Sequence, residues 1–105
     1  MMMIRQENHA DWATVQAVVK EAFSHAAHSD GNEAELVAAL RQSDAFIPEL
    51  SLVAQADGNI VGHILFTRAY VDGQAVLALA PLAVLPQYQR RGIGGALIEE
   101  GHRVA

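Results

Sequence analysis

Residues 82–97 read Leu82-Ala83-Val84-Leu85-Pro86-Gln87-Tyr88-Gln89-Arg90-Arg91-Gly92-Ile93-Gly94-Gly95-Ala96-Leu97, and this stretch decides the fold. An apolar run is stopped by Pro86, glycines stand at 92, 94 and 95, and the spacing of Ile93, Ala96 and Leu97 opens a helix. The segment is a strand-to-helix junction. The first turn of a helix presents backbone N–H groups without intrahelical partners and a partial positive charge, a combination that suits phosphate. Glycine lets phosphate oxygens reach those groups with no Cβ in the way. Arg90 and Arg91, the only adjacent basic pair in the chain, can add charge-assisted hydrogen bonds. The chemistry points to a phosphorylated ligand.

Two familiar phosphate motifs fail on context. A P-loop needs Lys and then Ser or Thr after its second glycine, where this chain has Ala96-Leu97. A dinucleotide fingerprint needs its glycines after the first strand of a βαβ unit, with an acidic residue about 20 positions on. Here the turn follows three strands that read as antiparallel.

Upstream, Met2 to Arg5 suits a first strand, and Asn8 with Asp11 suits a helix start. Trp12, Val15, Val19 and Phe23 recur at helical spacing, widened by Val18 and Ala22. A polar break from His25 to Gly31 precedes a second helix, started by Asn32 and Glu35 in capping-box form and buried through Leu36, Val37 and Leu40. Pro48 ends any helical tendency. Strands are predicted at Leu50–Ala56 and Ile60–Arg68 around the turn Asp57-Gly58-Asn59. After Asp72-Gly73, the almost wholly apolar run Ala75–Leu85 suits a strand covered on both faces. The order is strand, two helices, three antiparallel strands, helix: an α+β or mixed α/β domain.

Composition narrows the classes. With 105 residues, 51% hydrophobic and 18% charged, the chain suits one small globular domain. A net charge of −5 argues against general nucleic-acid binding. With no cysteine, disulfides, thiolate metal sites and cysteine nucleophiles are excluded. The start has no signal-peptide core and no apolar run is long enough for a membrane helix, so a cytoplasmic protein without a membrane partner is expected.

The pattern Gln/Arg-x-x-Gly-x-Gly/Ala, met by Gln89, Gly92 and Gly94 after Val84-x-Pro86, resembles the pyrophosphate motif of the GNAT superfamily of N-acetyltransferases. The element order resembles the first part of that fold. The resemblance implies acetyl-CoA as cosubstrate and an amine of a small molecule or protein as acceptor. It assigns Leu82, Ala83 and Val84 to the pantetheine and acetyl group, and Arg90, Arg91, Gly92, Ile93, Gly94 and Gly95 to the phosphates. Pro81 suits the bulge that the family carries in its cofactor strand. An amide freed there, at Leu82 or Ala83, could polarise the thioester carbonyl.

The reaction also needs a base for the amine and an acid for the thiolate. No residue is assigned to either role. Ala75–Val84 holds no carboxylate, and Tyr70 and Tyr88 lie away from the later helix that carries the acid in many relatives. His63 could face the acceptor pocket, though a hydrogen-bonded or exposed histidine is the plainer reading. His25, His28 and Asp30 have loose metal-like spacing without a fourth ligand, and no metal is expected. The loop Ser24–Asn32 lies where relatives shape the acceptor site, and Trp12 and Phe23 read as core. The family fold continues past the motif helix, whereas this sequence stops at Ala105. Residues 1–105 are therefore expected to form a single acetyltransferase domain incomplete at its C-terminus, prone to self-association or completed by another chain segment. The alternative function is a non-catalytic acyl-CoA-binding or interaction module.

Overall fold

The computed structural model describes residues 2–23 and 33–104. Strand β1 (Met2–Gln6) leads through a single 3-10 turn (His9–Asp11) into helix α1 (Trp12–Phe23), and helix α2 is Glu33–Arg41. Three strands follow, β2 (Phe46–Ala56), β3 (Asn59–Val71) and β4 (Gln74–Val84), then a 3-10 turn (Pro86–Tyr88) and helix α3 (Ile93–Val104). The four strands form one antiparallel sheet in the order β1-β2-β3-β4. This is the order of elements expected from the sequence.

Local chemistry accounts for the boundaries. Asn8 and Asp11 form a reciprocal capping box, Asn8 Oδ1 accepting from the Ala10 amide and Asp11 Oδ2 from the Asn8 amide. Both hairpins close on two residues, Asp57-Gly58 and Asp72-Gly73, with φ of 51° and 84° in the first and 51° and 79° in the second. Positive φ at both central residues defines the turn whose twist matches paired strands, and Asp-Gly is its preferred sequence. The capping box expected at Asn32 lies outside the described residues.

The two faces of the sheet carry separate clusters. Leu50, Leu52, Ala54, Ile64, Phe66 and Val84 pack with Ile93 and Leu97 of α3. Val53 and Ala83 pack with Val15 and Val19 of α1 and with Ala34 and Val37 of α2. Neighbouring strand residues such as Leu52, Val53 and Ala54 alternate between the clusters, so α3 covers one face and α1 with α2 the other.

Three expectations are corrected. Leu36 is 45% exposed, and the buried face of α2 is Ala34 and Val37, the pair three residues apart that meets α1. Strand β2 begins at Phe46 and includes Pro48, tolerated because the β2–β3 register slips between Phe46↔Thr67 and Ser51↔Leu65 and leaves that stretch outside the regular ladder. The apolar run of β4 is not covered on both faces: Val76 and Leu77 are exposed, as are Tyr70 and Val71 beside them on β3. The tip of this hairpin projects past the helices.

Helix α3 sits close because two side chains are missing. A Cβ on Gly101 would lie 2.2 Å from Phe66 Cε2, and one on Gly62 would meet the Ala83 carbonyl oxygen at 3.2 Å and Leu97 Cδ1 at 3.3 Å. Gly101→Ala should therefore lower stability by about 1–3 kcal/mol despite alanine's better helix propensity, because overpacking outweighs it. Urea titration checks this, and adding Phe66→Leu to Gly101→Ala should recover part of the loss.

Candidate functional site

The junction from β4 to α3 is built by side chains that hold the backbone still. Gln89 Nε2 donates to the Val84 carbonyl oxygen at 3.0 Å, tying the turn back to the end of β4. The Leu85 amide donates to the Val61 carbonyl at 2.8 Å and anchors the strand end to β3. Arg90 and Gly92 have φ of 65° and 80°, a reversal that aims the start of α3 back toward the sheet. The Ala96 amide bonds to the Gly92 carbonyl, closing the first helical turn. Ile93, Gly94 and Gly95 are thus the opening residues, whose amides have no intrahelical acceptor. A Cβ on Gly94 would meet only Leu82 Cδ2, at 3.5 Å, and one on Gly95 would meet nothing within 4 Å. Tyr88 packs against the cluster under α3, and the Arg91 guanidinium stands 5.3 Å from its ring centre.

The register of β4 changes at the expected place. Ile64 faces Leu82 while Phe66 faces Leu79, so Leu65 of β3 stands against both Ala80 and Pro81. This is a β-bulge, with Pro81 in it. Leu82, Ala83 and Val84 follow it directly and run to the turn. Of the nine residues singled out from the sequence, Leu82–Val84 end β4 and Arg90–Gly95 form the turn and the start of α3, where the Leu82 side chain lies against Gly94. Ala83 and Val84 bury their side chains on opposite faces of the sheet.

A second constellation was only partly visible in the sequence. Glu7, Ser51 and His63 are buried, and the Arg41 side chain is 4% exposed. Arg41 forks onto Glu7, Nη2 donating to Oε2 and Nε to Oε1, the latter at 3.3 Å. Ser51 Oγ lies 2.8 Å from Glu7 Oε1 and 3.0 Å from His63 Nε2. The Glu7 amide donates to the Ser51 carbonyl at 2.8 Å. Half-buried Trp12 covers the ion pair from outside, its ring centre 5.0 Å from Arg41 Cζ. His63 is wholly buried, hydrogen-bonded through Nε2 and, among the described residues, without a partner at Nδ1. Residues 7, 41, 51 and 63 meet only in the fold, and no local spacing could have linked them.

Tyr70 is exposed at the hairpin tip. His25, His28, Asp30 and the loop Ser24–Asn32 lie outside the described residues, and among the described residues no three His, Cys, Asp or Glu gather as metal ligands. No helix among them is long and apolar enough to cross a membrane.

The family model described as "Acetyltransferase (GNAT) family" matches residues 12–105. The chain belongs to the GNAT acetyltransferase family. It is 43% identical over 96 residues to YjhQ, an uncharacterized N-acetyltransferase of Escherichia coli K12, covering 88% of this chain and 50% of that protein. A crystal structure of a GNAT family acetyltransferase from Brucella melitensis in complex with acetyl-CoA superposes with a TM-score of 0.89 at 41% identity, over 98% of this chain and 67% of that one. The E. coli N-acetyltransferase YhbS in complex with CoA gives 0.83 at 29% identity, over 98% and 56%. The chain spans about half the length of the curated relatives it matches.

Burial, together with the charge of Arg41, pushes the His63 pKa down to about 3. The unfolded chain binds this proton near pH 6.5. Between those values the unfolded state holds more protons than the folded one, so folding stability falls as pH drops through the window and is fully present above it. His63→Gln should flatten this slope between about pH 5 and 6.5, above most carboxylate titration. Urea midpoints measured across that range check it.

Proposed function

We propose that this chain binds acetyl-CoA along the β4–α3 surface and serves transfer of the acetyl group to an amine of a small molecule or protein. The observation that carries the reading is a bulge in β4 followed by a helix start whose glycine amides have no intrahelical acceptor, the order in which a thioester and a pyrophosphate follow one another along one cosubstrate. The amides of Ile93, Gly94 and Gly95 bind phosphate with the positive end of α3 behind them. Arg90 and Arg91 add charge, Arg91 from its place beside Tyr88. The Leu82–Val84 backbone holds the pantetheine arm. An amide beside the bulge, at Leu82 or Ala83, polarises the thioester carbonyl. Bound acetyl-CoA supplies the activated acyl group. A cytoplasmic location suits such a cosubstrate.

Gly94→Glu places bulk and negative charge among the phosphate-binding amides. It should abolish measurable CoA binding in calorimetry while the chain stays folded, since a Cβ at this position makes only an ordinary contact. Arg91→Ala should weaken binding by about 1.5–3 kcal/mol, roughly 10- to 100-fold. Wild-type affinity in Gly94→Glu would overturn the site.

The outer edge of β4 has no neighbour among the described strands, and Val76 and Leu77 beside it are exposed. Such an edge templates pairing. We therefore assign it to self-association or to pairing with another chain segment, residues 1–105 forming one acetyltransferase unit on its near side. Light scattering of the 105-residue chain should show mass rising with concentration, and Leu77→Lys should suppress the rise. A wild-type chain monomeric throughout would overturn self-association.

A further inference from the structure

The buried chain from Arg41 to His63 fixes where every proton lies. With the Arg41 fork on it, Glu7 is a carboxylate and can only accept. The contact of 2.8 Å between Ser51 Oγ and Glu7 Oε1 needs a proton between the oxygens, and the serine has one to give. Ser51 Oγ is then an acceptor toward His63, so Nε2, at 3.0 Å, carries the imidazole N–H. His63 is uncharged, as burial and Arg41 require. Its remaining nitrogen, Nδ1, is therefore a bare lone pair, buried and without a partner among the described residues. Folded proteins seldom leave a buried acceptor unmet.

The position of this atom gives it meaning. Arg5, Val53, His63 and Ala83 are cross-strand partners in one row across the sheet. Val53 and Ala83 face α1 and α2, so His63 does too. Ala83 belongs to the stretch that directly follows the bulge. We infer that His63 is a positioning residue for acetyl transfer, its Nδ1 accepting a hydrogen bond from a single buried water beside Ala83 that leads to the acceptor amine. This rests on the function proposed above. His63 has no exposed surface, so the donor is a small group held within the protein. A histidine this weakly basic cannot carry a proton away from an ammonium. Its task is to orient a neutral donor, not to titrate.

Ring-nitrogen NMR of the 15N-histidine-labelled chain tests the assignment directly. His63 should show a protonated Nε2 and an unprotonated Nδ1 at neutral pH. An Nδ1 resonance already at its hydrogen-bonded position without additives identifies water as the donor. A shift to that position only with CoA and methylamine shows that the bound ligands order that water. A protonated Nδ1, or no hydrogen-bonded position in any state, overturns the inference. Turnover supplies the second arm. Asparagine can place an oxygen where Nδ1 was, whereas glutamine can keep only the group that meets Ser51. In a thiol-release assay with acetyl-CoA and methylamine, His63→Gln should lose up to about tenfold in kcat, with CoA affinity unchanged, and His63→Asn should keep most of it. Wild-type kcat in His63→Gln refutes the role. A wild-type chain that binds no CoA counts against the proposed function, while the NMR result still decides the state of Nδ1.

Discussion

The buried carboxylate of Glu7 ties three parts of this fold together. A charge taken out of water is tolerated only when its partners surround it, and here they come from separate parts of the chain. Arg41 arrives from the end of α2, Ser51 from β2, and the Glu7 amide bonds the Ser51 carbonyl. Satisfying one carboxylate therefore fixes the end of β1, the helical layer and the central strands relative to each other. Removing one partner would leave the rest of the cluster buried and uncompensated, costing about 3–5 kcal/mol for a broken buried pair. In a small domain that is a large share of the total.

The opposite face is fixed chiefly by close apolar packing. Gly62 and Gly101 let α3 approach the sheet until Phe66 and Leu97 fill the space that Cβ atoms would occupy. This closeness has a functional consequence, because it sets the height at which the first amides of α3 stand beside Leu82. Gln89 and the reversed backbone at Arg90 and Gly92 then set their direction. The geometry proposed for phosphate binding is thus a product of packing, with the glycines inside the turn leaving the helix start open.

The parts of this arrangement legible in sequence were those encoded locally. The glycine-arginine turn, Pro81 in its bulge, both Asp-Gly hairpins and the Asn8 cap each depend on a few neighbouring residues with restricted conformations, and each was readable. Long-range features were not. Leu36 fits a helical stripe, but which stripe of α2 is buried depends on where α1 lies, and Ala34 with Val37 takes that contact. The apolar composition of β4 suggested full burial because sequence reports hydrophobicity and not what covers it. For Glu7, Arg41 and Ser51 there was no signal, since a lone polar residue near an apolar stretch is ordinarily a surface residue. His63 drew notice as a histidine on a strand, but its burial and half-satisfied ring follow only from partners 12 and 44 residues apart.

Strand β4 is where the two supports meet. Leu82 and Val84 lean into the cluster under α3, while Ala83 leans into the one under α1 and α2. Alternation thus clamps the backbone just after the bulge from both faces, leaving its outer edge as the side open among the described strands. A bulge interrupts the ladder and would loosen a strand held only by hydrogen bonds. Here side-chain packing supplements the interrupted ladder, so the backbone after the bulge keeps a fixed direction. Preorganised donors are effective because they need no reorganisation when charge develops on a ligand. The polar chain behind Ala83 extends this rigidity to His63, whose tautomer is set by a carboxylate two hydrogen bonds away. Two unrelated devices, tight apolar packing on one face and a closed charge network on the other, therefore converge on three residues of a single strand.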